Sequence, residues 1–69
     1  MYTIFMDLGY MTIRMESVST LAEAVWRCGL YFDRNPHRYF IQNVTEGKRY
    51  TMFGTLEKEL NVDHRKAQD

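Results

Sequence analysis

Along the first half of the chain, apolar and polar residues change places with a short period. Ile4, Met6 and Leu8 alternate with Thr3, Phe5 and Asp7, then Met11, Ile13 and Met15 alternate with Thr12, Arg14 and Glu16. A period of two is the signature of a strand with one buried face. It predicts strands over residues 2–7 and 10–16. Gly9 lies between the two runs and supplies the positive φ of a tight hairpin.

The period then lengthens. Thr20 followed three residues later by Glu23 forms a capping box, in which each side chain satisfies an orphan N–H of a helix start. At about 100° per residue, Leu21, Ala24, Val25, Cys28 and Phe32 fall in one stripe, and Glu23, Arg27 and Arg34 fall opposite. The helix is expected to end at Asn35-Pro36, because a residue before proline avoids the α region. Gly29 leaves a second outcome open, in which the helix stops near Cys28 and Leu30 to Asp33 run extended.

Residues 38–44 and 48–53 read as a second hairpin turning at Gly47. Two registers fit. A two-residue loop at Glu46-Gly47 pairs Ile41 with Met52 and Phe40 with Phe53, whereas a three-residue loop with a bulge pairs Phe40 with Met52. A slip of one residue exchanges the buried and exposed faces. Leu56 and Leu60 stand four apart, which suggests a short helical turn after Thr55. From Asn61 onward there is almost no apolar content, and a mobile polar tail is expected.

These elements make a single small α+β domain over residues 1–54, with residues 55–69 as an appendage. The order is β-β-α-β-β: a four-stranded antiparallel sheet with one helix packed on one face. One helix leaves the other sheet face uncovered. That face is expected to carry residues from Phe5, Thr12, Arg14, Phe40, Thr51 and Phe53, and its aromatics would form an exposed apolar patch of the kind that marks an interface.

Size and composition narrow the chemistry. A chain of 69 residues is near the lower limit for unaided folding, burying only about 60% of its unfolded surface. Cys28 is the only cysteine, so there is no internal disulfide, and a reducing, cytoplasmic setting is expected. One cysteine with the distant His37 and His64 does not make a zinc set. No apolar run approaches the roughly 20 residues of a membrane span, and Met1 to Asp7 lack the basic start and cleavage site of a signal peptide.

The sequence offers no pairing of nucleophile and base, no carboxylate pair and no phosphate loop. Cys28 sits in the apolar stripe and reads as a core thiol. His37 reads as a solvated loop residue, and the carboxylates are scattered singly. The four glycines are isolated, so no loop cradles phosphate. A non-enzymatic protein without cofactor or metal is expected.

Two kinds of partner remain. For a protein partner, Trp26 and Leu30 lie four apart on the helix flank beside Arg27, and Trp and Arg are frequent interface anchors; the alternative is a Trp26 that bends over the sheet edge and is mostly buried. Phe40, Arg49 and Phe53 on the second hairpin complete that set. For single-stranded nucleic acid, Arg38, Tyr39, Lys48, Arg49 and Tyr50 mix base and aromatic. The formal net charge of zero ranks nucleic acid second, since phosphate neutralisation normally dominates such affinity. A homodimer formed through sheet faces or edges is a third outcome.

In layout, a hairpin, a helix opening Thr20-Leu21-Ala22-Glu23-Ala24 and a second hairpin, residues 1–54 resemble many small phage or mobile-element proteins. Such proteins often inhibit host machinery stoichiometrically, including defence nucleases and RNA polymerase. The resemblance implies a cytoplasmic inhibitor that occupies a surface of a larger host protein or complex. It carries over no functional residue.

Overall fold

The computed structural model describes residues 1–60. The expected mobile tail from Asn61 lies outside the described residues. The elements are β1 (Tyr2–Asp7), β2 (Thr12–Val18), α1 (Leu21–Arg34), β3 (Arg38–Asn43), β4 (Lys48–Thr51) and β5 (Leu56–Glu59). All strand pairs are antiparallel, and the order across the sheet is β2-β1-β3-β4-β5. The α+β class and the single covering helix therefore hold, but the sheet has five strands where four were expected.

The fifth strand replaces the expected helical turn. Leu56 and Leu60 are four apart, but Leu56, Lys58 and Glu59 instead pair with Tyr50, Arg49 and Lys48. The turn before β5 drives this. The Thr51 hydroxyl accepts from the N–H groups of Phe53 and Thr55, both at 3.2 Å, and Gly54 takes φ +89°. Gly54 also approaches the helix so closely that a Cβ there would lie 3.0 Å from a methyl of Val25. This turn folds Leu56 back beside β4, and ladder pairing outweighs the weak helical preference of a four-residue stretch.

Both hairpin loops are longer than the shortest reading. Leu8 to Met11 connect β1 and β2, with the Asp7 carboxylate accepting from Gly9 N–H at 2.8 Å and Leu8 N–H donating to Met11 O at 2.9 Å. The second strand consequently runs 12–18 rather than 10–16. Val44 to Gly47 connect β3 and β4, closed by Asn43 Oδ1 accepting from Glu46 N–H at 3.1 Å. Neither expected register occurs: Ile41 faces Tyr50 and Phe40 faces Thr51, with β4 ending at Thr51.

The helix starts as read, with the Thr20 hydroxyl accepting from Glu23 N–H at 3.1 Å. Gly29 does not interrupt it, and Arg34 is its last residue. Its C-terminal carbonyls are met by Tyr39, whose hydroxyl donates to Asn35 O at 2.7 Å, with Tyr31 O at 3.4 Å. The helix packs on β1, β2 and β3. Its Ala24 and Cys28 form the core with Ile4, Met6, Val18, Tyr39 and Ile41 of the sheet. Phe32, expected in the buried stripe, is exposed, and half-buried Tyr31 packs on the core in its place. The Tyr31 ring stacks on Tyr39 at 6.0 Å.

A bulge in β2 changes which residues meet the helix. Ile4 faces Glu16 and Phe5 faces Arg14, so Met15 has no residue opposite it. Beyond the bulge the alternation shifts, and Glu16 and Val18 join Ile13 on the covered side instead of following Arg14 to the open one.

Candidate functional site

Two surfaces emerge, one on the helix and one on the sheet. On the helix, Trp26 is 62% exposed and Leu30 is also exposed. The guanidinium of Arg27 lies 5.9 Å from the Trp26 ring centre, within range of a cation–π contact. Arg27 is held in turn by Glu16: its Nε stands 3.5 Å from Oε2 as an ion pair without hydrogen-bond geometry. The same carboxylate oxygen accepts from the Tyr31 hydroxyl at 2.7 Å. That bond, with burial and the Glu16 charge, pushes the Tyr31 hydroxyl above its usual range. Arg27, Leu30, Tyr31 and Arg34 line a shallow cleft along the helix. Glu16 was not foreseen as part of this group, because simple alternation puts it on the other face.

On the sheet, the register assigns the uncovered face. Thr3, Phe5 and Asp7 of β1 meet Ser17, Arg14 and Thr12 of β2, and Gln42, Phe40 and Arg38 of β3. Arg49 and Thr51 of β4 and Lys58 of β5 continue that face. Phe5 and Phe40 stack at 5.2 Å and 19°. The Arg49 guanidinium lies over Phe40 at 4.2 Å from its ring centre. Sandwiched so, Phe40 is only 7% exposed. The expected apolar patch is therefore absent at Phe40, because the Arg49 guanidinium lies over the ring and covers it.

The residues singled out from sequence do not assemble into one site. Trp26, Arg27 and Leu30 share the helix, and Phe40 and Arg49 touch each other on the open sheet face. Phe53 lies past the end of β4, 78% exposed, where it lines a cleft with Arg38, Tyr39, Thr51, Met52 and Glu57. The basic and aromatic set Arg38, Tyr39, Lys48, Arg49 and Tyr50 divides between faces. Arg38 and Arg49 are on the open face, while Tyr39, Lys48 and Tyr50 alternate to the helix side, with Tyr39 at 2% exposure. Alternation already separates neighbours in a strand, so a contiguous run of such residues cannot be a single surface.

Cys28 is fully enclosed, and burial pushes its thiol up to about 11. That keeps it protonated and unreactive at neutral pH. Among the described residues no group of His, Cys, Asp and Glu is placed to hold a metal, and no helix is long and apolar enough to cross a membrane. Comparison with known protein families, curated proteins and solved structures finds no match for this chain.

Proposed function

We propose that this protein is a non-catalytic, cytoplasmic binding protein that works by occupying a surface of a larger host protein. The resemblance in layout to small phage and mobile-element proteins suggests that the partner is an enzyme or defence complex and the outcome inhibition. The observation that carries this reading is Trp26. A large aromatic stands mostly exposed on the outer side of a helix, and its neighbour Arg27 is fixed from below by Glu16. An anchor held in place before binding loses little conformational entropy when it docks. Leu30 extends the apolar contact one turn along, and Arg34 adds charge at its end.

The test is recovery of a partner from host lysate on immobilised protein, compared with Trp26→Ala and Leu30→Asp. Both positions are exposed, so both variants should keep the wild-type melting temperature. The wild type should retain one stoichiometric partner and the variants should lose it. Equal recovery by folded variants overturns the helix surface as the docking site, and absence of any stoichiometric partner overturns the reading itself.

A further inference from the structure

The zero net charge of the chain conceals a segregation between the two sides of the sheet. At the paired positions of the open face stand four cations, Arg14, Arg38, Arg49 and Lys58, against one carboxylate, Asp7. Asp7 is already engaged with the Gly9 N–H. Glu57, the unpaired residue of the β5 bulge, also lies close, sharing the Phe53 cleft with Arg38. Among the described residues none of the four cations has a carboxylate within ion-pair distance; Arg27–Glu16 is the ion pair formed there, and it lies on the covered side. Arg14 donates to the Ser17 hydroxyl at 3.0 Å, and Arg49 Nε is buried without an acceptor.

We propose that this open face binds single-stranded nucleic acid, independently of the helix surface described above. Cations occur on four of the five strands. With neighbouring strands about 4.8 Å apart, they span about 19 Å across the sheet, room for an extended polyanion lying transverse to the strands. Between the cations lie planar groups: the half-buried Phe5 ring and the guanidinium that caps Phe40. Bases stack on both aromatic rings and guanidinium planes. Thr12, Thr51 and Gln42 add neutral hydrogen-bonding groups on the same face. An acidic protein segment would use the cations alone and has no use for the interleaved flat groups, which is why nucleic acid is the favoured occupant. A chain of zero total charge still attracts phosphate when its local field is this one-sided.

The experiment is anisotropy of a fluorescently labelled single-stranded oligonucleotide, as DNA and as RNA, titrated with the full chain. Four phosphate contacts predict a salt slope near −2.8, so affinity should fall about 50-fold between roughly 50 and 200 mM salt. The double variant Arg14→Gln/Lys58→Gln changes two exposed side chains and should halve that slope. Trp26→Ala should leave binding unchanged, which separates this surface from the helix. No anisotropy change at the lower salt overturns the proposal, as does a slope untouched in the double variant. Displacement of the oligonucleotide by polyglutamate of equal length and comparable concentration also overturns it, in favour of an acidic protein segment.

Discussion

The two faces of the sheet hide their apolar atoms by different means. On the covered side Ile4 and Ile41 lie under the helix, against its own Cys28, all three with no exposure. On the other side Phe40 is almost as enclosed, yet its cover is the side chain of Arg49 and the ring of Phe5. Helix cover comes from a whole element of secondary structure, whereas a single cation over a ring is local, adjustable and keeps the surface polar. A sheet face without a helix is therefore not automatically a greasy one. Here it is a charged face with two aromatic rings set into it.

The sharpest test of this contrast is truncation on each side. Ile41→Ala should cost about 3 kcal/mol, because the void under the helix has rigid walls. Phe40→Ala should cost about 2 kcal/mol or less despite removing the larger side chain, since Arg49 can settle into the gap. Urea unfolding measures both. Equal or inverted costs would make the open face a second core and break the contrast. Next is Gly54→Ala, where the positive φ and the approach to Val25 should together cost about 1–2 kcal/mol. The loss should appear as weakened hydrogen-exchange protection in β5 ahead of β1. Arg49→Gln removes the cation over Phe40 and should cost about 0.5–1 kcal/mol. It should also raise binding of a hydrophobic dye such as ANS. Unchanged dye binding would show that Arg49 is not the cover.

The last effect is absent at neutral pH. The Cys28 thiol, at 9.0 when solvated, rises to about 11 in the fold. Folding therefore favours the protonated form. Its contribution is fully present below pH 9 and is lost as the pH climbs through 11, because the unfolded chain ionises first. Tyr31 and Tyr39, both raised as well, act in the same direction at higher pH. A stability curve flat from pH 7 to 8.5 and falling from 9 to 11 in wild type, but shallower in Cys28→Ala, is the expected result.

How much of this could be read from the residues varies by element. The start of the helix was legible from Thr20 and its later end from Asn35-Pro36, but Gly29 left an earlier stop open and the stripe misplaced Phe32. Spacing put Trp26 on the flank of the helix, but left open whether it folds over the sheet edge; in the fold it stands exposed. Both hairpins were legible as hairpins, but not their registers, because Asp7 and Asn43 lengthen the loops through side-chain bonds that alternation does not encode. Glu16 was assigned to the wrong side for a related reason: one unpaired Met15 reverses the pattern after it. β5 was missed because Leu56 to Leu60 has helical spacing and acquires its strand only by pairing with β4. With β5 went Lys58, and with the register went the gathering of four cations on one face. Charge summed over a sequence is blind to sidedness, which is set by the ladder.

The unmatched Met15 has a consequence beyond the aim of Glu16. β2 is the outermost strand on its side, with a free row of N–H and C=O groups that could template another chain. An extra residue in the middle of a seven-residue strand breaks the even spacing of that row and bends it. An incoming strand would lose its match half-way along. At the far border β5 offers Glu57, Lys58 and Glu59, whose charges repel an identical neighbour placed in register. Border-to-border stacking of copies is thus disfavoured at both ends, by a broken spacing at β2 and by like charges at β5.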